Sequence, residues 1–411
     1  MKSNGRDRRP HIRPVTKLEL SEKDVRKRTI LAGVFLVIGI VAIGYGLFSL
    51  VNTQPGWVEV QISSTDTNIS SEFTLMYDFS GSGGNATAEN KRLSLLYTEA
   101  VREAYVIFSP DEPAQDNLYA LNAAPGEPVK VHPALYDAFR LMEEQGSRAV
   151  YLAPVYTEYD RVFRAEGDGE AMVYDPAFSR EAAELITELT DFTADPEHIR
   201  VEVLEGGCLE LVVSDAYLSY ARENGIETFL EFGWLRNAFT ADYLASRLQE
   251  NGFTKGYLES FDGFIRNLDS RGQSYAVNIF HKEGTDVYIP ARVEALGPVA
   301  SVRFRAYPLD EQDARSYHLY ADGSGVSGYI DPADGLEKTA LEDLLVLGGG
   351  KTCAELALAA APVFIAGELE ADALAALAEL GICTVRCEGK RIVSTGEGIV
   401  LTVLAGGFTA E

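Results

Sequence analysis

The chain is poor in the residues that bind transition metals or form disulfide frameworks. It has five histidines and four cysteines in 411 residues, and no C-x-x-C pair or His/Cys set has the spacing of a zinc site. Cys383 and Cys387 face the same side of a predicted strand about 13 Å apart, which is too far for a disulfide. The sequence therefore gives no support to a zinc site or to any particular disulfide, and it predicts scattered buried thiols.

Positive charge is scarce outside the N-terminus. Residues 1–28 carry ten Lys/Arg and four Asp/Glu, whereas the remaining chain carries 26 basic and 58 acidic residues. The acidic region after residue 28 is expected to repel nucleic acid and anionic lipid headgroups. We therefore expect no nucleic-acid partner. Internal repeats and low-complexity tracts are also missing, and the overall composition is that of an ordinary globular protein.

One long apolar segment follows the basic N-terminus. Thr29–Val51 has 23 residues without a charge, which is long enough to cross a hydrocarbon core of about 30 Å. A cleaved signal peptide has a shorter apolar core, and Arg26-Lys27-Arg28 favours a cytoplasmic N-terminus. The prediction is a single-pass membrane protein with an extracytoplasmic C-terminal domain. Its parts are a basic cytoplasmic tail (1–28), a transmembrane signal anchor (29–51), a stalk (52–56) and the exported domain (57–411).

Hairpin and helix signals are mixed along the exported domain. WVEVQIS and SEFTLMYDF predict strands, and HIRVEVLEGGCLELVVS predicts a hairpin around Gly206-Gly207. VHPALYDAFRLMEEQG and SREAAELITELTDFTADPEH have helical periodicity, and Ser179 is placed to cap the second of these helices. This mixture predicts an α+β fold rather than a doubly wound parallel sheet.

The most informative segment is Leu230–Arg266. The apolar run FLEFG ends at Gly233 as a buried strand does, and apolar residues then recur at helical spacing over residues 239–248. Gly252 stands where a left-handed C-cap is needed, and GYLESFDGFI predicts a further strand. Such a strand–turn–helix–strand unit places Gly233 and a helix N-terminus where a phosphate can bind.

This segment resembles the central motif of the FAD:protein FMN transferase (ApbE) family, LDLGGIAKGYAxD…L…GxxxxxxNLGGDIR. Leu230, Gly233, Asp242, Gly252 and Arg266 hold the family's positions. Three other segments resemble family blocks in the same order along the chain: LYALNAAPGEPVKVHPALYDAF, YIDPADG and TCAELALAAAPVFIAG. The resemblance implies a single ApbE-like flavin-transferase domain behind the N-terminal helix.

The resemblance also implies a chemistry. The family splits the FAD pyrophosphate and moves FMN onto a Thr or Ser hydroxyl of a target flavoprotein, with Mg²⁺ held by hard oxygen ligands. FAD and Mg²⁺ are therefore the implied cofactors, and a flavoprotein is the implied partner. Glu355 is the one carboxylate near the expected metal position. The candidates for a flavin pocket are Glu231, Gly233, Trp234, Asp262 and Asp331.

The family's charged functional residues do not carry over. Ala354 and Leu358 stand at the family's metal-binding Asp and Thr, and Asn237 stands at its Lys. Gly328 stands at its His, and Ala153 at a pocket Asp. The glycines and prolines that shape the backbone survive. A retained fold with weakened or lost transferase chemistry has this pattern.

Each retained candidate also has a structural interpretation. Asp331 and Asp262 lie in turn-forming sequences, Asp242 is predicted on a solvated helix face, and Glu231 can bond a neighbouring amide. Trp234 can stack on a flavin or fill the gap left by a lost ligand. Three functions stay open: an active transferase with a rearranged site, a pseudoenzyme that binds a flavin, another ligand or a protein at the cell surface, and an assembly component that uses no pocket.

Overall fold

The structure, a computed structural model, describes residues 56–62, 72–82, 85–284, 286–310 and 312–411. The elements below belong to the compact unit Pro55–Glu411. The predicted tail, the anchor 29–51 and the stalk up to residue 55 lie outside the described residues. Within the part that is described, no helix is long and apolar enough to cross a membrane.

Helices and strands alternate irregularly along the chain. The α-helices in the described residues are α1 (Ala86–Phe108), α2 (Leu118–Ala123), α3 (Pro133–Glu144), α4 (Ala153–Phe163), α5 (Asp168–Tyr174), α6 (Arg180–Thr193), α7 (Asp215–Asn224), α8 (Arg236–Glu250), α9 (Cys353–Phe364) and α10 (Ala371–Glu379). The strands are β1 (Trp57–Glu59), β2 (Phe73–Asp78), β3 (Pro128–Lys130), β4 (Ile199–Leu204), β5 (Cys208–Val213), β6 (Gly256–Ser260), β7 (Phe264–Asn267), β8 (Ser274–Glu283), β9 (Asp286–Leu296), β10 (Val299–Arg305), β11 (Tyr317–Leu319), β12 (Gly325–Ser327), β13 (Asp343–Gly349), β14 (Cys383–Glu388), β15 (Arg391–Thr395), β16 (Ile399–Val403) and β17 (Thr409–Ala410). Short 3-10 turns cover Ala149–Leu152, Gly233–Leu235 and Asp313–Arg315.

A nine-stranded sheet forms the centre, in the order β1-β2-β6-β7-β10-β13-β14-β15-β17. Neighbouring strands in it run antiparallel, except that β15 and β17 are parallel. The described residues also form three smaller sheets, with the orders β16-β9-β8, β3-β5-β4 and β11-β12. Mostly antiparallel strands with separate helices confirm the predicted α+β class.

The two faces of the central sheet are covered differently, because alternate side chains of a strand point to opposite faces. On one face, Phe264, Phe304 and Leu344 join a core with apolar side chains of α1, α8 and α9. On the other face, Ile265 and Leu345 pack against the sheet of β8, β9 and β16. A separate apolar cluster joins α4 and α6 to the β11–β12 hairpin.

Two local predictions are confirmed. Ser179 caps α6, because its hydroxyl accepts a hydrogen bond from the Ala182 N–H. The hairpin around Gly206-Gly207 is β4–β5, and both glycines have a positive φ, 79° and 78°, which side chains with a Cβ rarely adopt. The four cysteines are free, but only Cys353 is buried; the prediction of buried thiols is wrong for Cys208, Cys383 and Cys387, which are half-buried.

The prediction that FLEFG forms a strand is wrong. The backbone of this segment forms hydrogen bonds with the Asn122 side chain and does not pair with a neighbouring strand. The N–H groups of Phe229 and Leu230 donate to the Oδ1 of Asn122 at 3.0 and 2.9 Å, and the Asn122 Nδ2 donates to the Leu230 carbonyl at 2.9 Å. Glu231 N–H donates to the Val150 carbonyl. Burial was therefore predicted correctly, but the pairing that defines a strand is missing.

GYLESFDGFI, predicted as one strand, folds as the β6–β7 hairpin. Asp262 and Gly263 lie in its turn, as Asp-Gly pairs commonly do. Gly263 has a φ of 102°, and a Cβ there would lie 2.7 Å from the Arg303 carbonyl oxygen of the adjacent strand β10. The turn therefore requires glycine, and it places the Asp262 side chain at the end of the hairpin.

The prediction that Asp242 lies on a solvated helix face is also wrong. Its carboxylate pairs with Arg266 on β7 and accepts hydrogen bonds from the N–H groups of Cys353 and Ala354 at 2.9 and 2.8 Å. Its side chain is only 16% exposed. Asp242 thus joins α8, β7 and the first turn of α9, whose N–H groups would otherwise lack acceptors. Two residues of the ApbE-like motif therefore hold the fold together.

Candidate functional site

A cavity of about 740 Å³ opens between two apolar clusters of the domain. Its volume lies in the range of about 300–1,000 Å³ that small-molecule sites occupy. Phe108 and Phe232 reach it from the core under the central sheet, and Tyr156 and Tyr159 reach it from the cluster around α4. Further aromatic side chains complete the lining: Tyr105, Phe163, Trp234 and Phe261. A planar apolar ligand in the cavity would therefore meet aromatic side chains from several elements.

Four of the five predicted flavin-pocket residues line this cavity: Glu231, Gly233, Trp234 and Asp262. Asp331 does not belong to the lining. Its carboxylate accepts a hydrogen bond from the Ala333 N–H at 2.9 Å and pairs with Lys338 at 2.7 Å. Asp331 therefore stabilises the turn that follows β12.

Glu355, the predicted metal candidate, forms a capping box at the start of α9. Its carboxylate accepts from the Thr352 N–H at 2.7 Å, and the Thr352 hydroxyl accepts from the Glu355 N–H at 3.1 Å. Such reciprocal bonds satisfy two N–H groups that the helix cannot. The Glu355 side chain does not line the cavity.

The family's metal position does not fit Mg²⁺ in this chain. Ala354 and Leu358 are buried in the core, with 2% and 5% exposure, and neither side chain has an oxygen. Mg²⁺ requires hard oxygen ligands in near-octahedral geometry. Among the described residues, no group of three or more His, Cys, Asp or Glu is placed to hold a metal ion.

Glu231 lines the cavity. It belongs to the FLEFG segment, whose backbone is hydrogen-bonded to the Asn122 side chain. Burial, and then the nearby charge of Asp160, raise the pKa of Glu231 from 4.5 to about 7. A carboxyl in a cleft with such a raised pKa is a marker of functional sites. Near neutral pH this group can therefore donate or accept a proton.

Asp262 reaches the cavity from the β6–β7 turn. The Ser260 hydroxyl donates to its Oδ1 at 2.5 Å, and the Asn237 Nδ2 donates to its Oδ2 at 3.0 Å. Burial outweighs these bonds and raises the pKa of Asp262 from 3.8 to about 6. Asn237 stands where the ApbE-like motif has Lys, so the neighbour of Asp262 donates a hydrogen bond but brings no charge.

Trp234 and Gly233 form the turn into α8. The indole of Trp234 packs 5.8 Å from the Phe304 ring and 5.6 Å from the Tyr329 ring, measured between centroids. Trp234 also lines the cavity. Gly233 has a φ of 52°, and a Cβ there would lie 2.5 Å from the Tyr156 ring. The absence of a side chain at Gly233 lets Tyr156 approach the backbone and define the cavity wall.

Ion pairs at the cavity rim are the part of the site that sequence reasoning missed. The buried carboxylate of Glu72 forms ion pairs with Arg236 at 2.6 Å and with Arg315 at 3.4 Å. Arg164 pairs with Asp160 at 2.6 Å. Glu72 lies 164 positions before Arg236 and 243 before Arg315, and no local pattern connects residues so far apart.

The raised pKa of Glu231 predicts how the free energy of unfolding depends on pH. A carboxyl with a higher pKa in the folded chain stabilises it fully below the unfolded value and loses that contribution as pH rises through the folded value. For Glu231 this window runs from 4.5 to about 7. Because the carboxyl partly faces the cavity, we expect Glu231→Gln to raise the free energy of unfolding by about 2 kcal/mol near pH 8. The gain should be clearly smaller near pH 5.5.

Urea unfolding at both pH values measures this difference. Glu184→Gln is the matched control, because its side chain is 59% exposed on α6. An equal response of the two variants at both pH values would show that Glu231 is not held in an unfavourable charged state.

Comparison with known proteins identifies the fold. Neither a protein-family model nor a curated protein matches the chain, but solved structures do. The ApbE protein of Thermotoga maritima aligns with a TM-score of 0.55 at 12% identity, over 80% of this chain and 94% of that one. The flavin transferase ApbE of Vibrio cholerae aligns with a TM-score of 0.51 at 16% identity, over 84% and 96%. The chain has a divergent form of the ApbE flavin-transferase fold, as the sequence resemblance predicted.

Proposed function

We propose that the domain binds a flavin in the cavity and has weakened or lost the metal-dependent transfer of FMN to a target flavoprotein. One observation carries the proposal. An aromatic-lined cavity opens at the ApbE-like motif, while Ala354 and Leu358 occupy the positions that supply metal ligands in the family. The ligand-sized cavity supports binding, and the apolar metal position supports the loss of chemistry.

The residues of the cavity suit a flavin ring. The Trp234 Nε1–H and the Asn237 Oδ1 have no hydrogen-bond partner among the described residues. Both atoms are buried within side chains that line the cavity; buried polar atoms without a partner are uncommon, and small-molecule sites usually combine a few polar groups with an apolar lining. A bound flavin would supply a redox-active ring, and Trp234, Asn237 and Glu231 would orient it.

The location in the cell belongs to the same proposal. The apolar segment 29–51 and the Arg26-Lys27-Arg28 cluster support a membrane anchor with the domain outside the cytoplasm. Protease added to spheroplasts should then digest the domain and spare the N-terminal tail, whereas a protected domain would refute this orientation.

Flavin binding can be tested through the two tryptophans of the chain. Trp234→Ala should weaken flavin binding about tenfold, because it removes a ring from the cavity wall and one unpartnered donor. Trp57→Ala is the matched control, since Trp57 lies on β1 with 47% exposure and is not part of the cavity. Quenching of flavin fluorescence by the full chain in detergent measures both. Equal affinities for the two variants would place the flavin elsewhere or show that none binds.

A further inference from the structure

We propose that the cavity selects a flavin without phosphate groups, so that riboflavin binds more tightly than FMN or FAD. This inference rests on the proposed function, because it assumes that the flavin ring occupies the cavity. It concerns the ribityl end of the ligand, where riboflavin is neutral and FMN carries a phosphate.

The arginines of the cavity lining are already paired. Arg236 and Arg315 share the carboxylate of Glu72, which is only 5% exposed, and Arg164 pairs with Asp160. A phosphate that took either of the first two arginines would compete with a buried carboxylate. A phosphate that took Arg236 would leave the buried Glu72 carboxylate with only the 3.4 Å contact of Arg315, and weakening the pairing of a buried carboxylate is unfavourable.

Several carboxyl groups of the lining have no cationic partner. In the part of the chain that the structure describes, no ion pair involves Asp111, Glu231 or Asp262, although all three line the cavity. The bonds to Asp262 come from the neutral donors Ser260 and Asn237. Acidic groups in the described lining therefore outnumber basic ones, and a cleft with one excess sign repels ligands of that sign.

Two buried polar atoms of the lining that have no hydrogen-bond partner among the described residues belong to neutral side chains. They are the Nε1–H of Trp234 and the Oδ1 of Asn237, and Asn237 is 3% exposed. The two residues are three positions apart on the turn into α8, so their side chains lie on one side of it. The pyrimidine edge of an isoalloxazine carries carbonyl acceptors and an N–H donor, which complement this pair. All flavins share that edge, so charge at the ribityl end decides between them.

The direct experiment compares riboflavin with FMN, which differ only by the phosphate. The full chain in detergent, with EDTA, is titrated with riboflavin, FMN and FAD at one ionic strength and at about pH 8.5, where Glu231 and Asp262 are both ionised, and fluorescence quenching gives each Kd. We expect riboflavin to bind at least tenfold more tightly than FMN. FMN or FAD binding as tightly as riboflavin would overturn the inference and leave the proposed function standing. Failure of all three flavins to bind would overturn both.

Variants that replace carboxylates with amides test whether the negative charge of the lining causes the preference for riboflavin over FMN. Glu231→Gln combined with Asp262→Asn should bring the FMN affinity about tenfold closer to that of riboflavin. Glu184→Gln combined with Asp286→Asn is the matched control, because it removes the same two charges from exposed positions on α6 and at the start of β9 and should leave the ratio unchanged. An unchanged ratio in the double variant would overturn the inference.

Salt gives a measurement that needs no variant. Screening of repulsive charges should tighten FMN binding as ionic strength rises from about 0.05 to about 0.5 M, with riboflavin unaffected. FMN binding that weakens with salt would show attraction to the arginines and contradict the inference.

Discussion

Asp242→Ala should lower the free energy of unfolding by about 3–5 kcal/mol, the cost of removing one partner of a buried ion pair. The substitution leaves the Arg266 guanidinium, 15% exposed, without its carboxylate. It also removes the acceptor for the N–H groups of Cys353 and Ala354 at the start of α9. Unpaired groups of both kinds are costly when they are buried.

Urea unfolding of the full chain, followed by circular dichroism, measures this loss. Asp137→Ala is the control, because Asp137 pairs with Arg140 on the exposed surface of α3, with its side chain 63% exposed. Exposed pairs contribute about 0–1 kcal/mol. Comparable losses for the two variants would contradict the role that the structure gives to Asp242.

Gly233→Ala should destabilise the fold by about 3 kcal/mol and abolish most flavin binding. A residue with a Cβ costs about 1–2 kcal/mol in the left-handed region, and φ at Gly233 is 52°. The added Cβ would also lie 2.5 Å from the ring of Tyr156, whose hydroxyl donates to the Ala149 carbonyl. Either Tyr156 or the turn into α8 has to move, and both form the cavity wall.

Gly252→Ala separates the two contributions. Gly252 has a φ of 82°, and a Cβ there would meet nothing within 4 Å. We expect it to cost only about 1 kcal/mol and to leave flavin binding intact. Unfolding free energies and flavin affinities of the two variants measure the comparison. If both variants lose the same stability and neither loses affinity, close packing at Gly233 has no role in shaping the cavity.

Much of the fold could be predicted from the sequence because it is encoded locally. Hydrophobic periodicity and turn residues gave the α+β class, the cap at Ser179 and the hairpin at Gly206-Gly207. FLEFG and Asp242 were misassigned for a common reason. The partners that decide them, Asn122 and the N–H groups at the start of α9, come from distant segments. Periodicity shows which face is buried, but it does not show which polar group from another element meets it.

The site residues, like the fold, were predicted correctly only in part. Glu231, Gly233 and Trp234 lie within four consecutive positions of the ApbE-like motif. Because they are so close in sequence, all three line the same cavity. Asp331 and Glu355 lie near family motifs as well, but their carboxylates bond local backbone N–H groups. Short acidic side chains near turns and helix starts often do so. The resemblance alone could not distinguish a ligand-facing carboxylate from one that stabilises a turn or a helix start.

The release of AMP from FAD tests the central claim most directly. The full chain is incubated with FAD and Mg²⁺, with a parallel sample in EDTA, and AMP is measured by chromatography while fluorescence quenching follows flavin binding. The claim is that the cavity holds a flavin while Ala354, Leu358 and the capping-box Glu355 leave no metal site at the family's position. We predict flavin binding with AMP release that is absent or very slow, close to the rate in a protein-free control. Rapid AMP release that depends on Mg²⁺ and stops in EDTA would contradict the account.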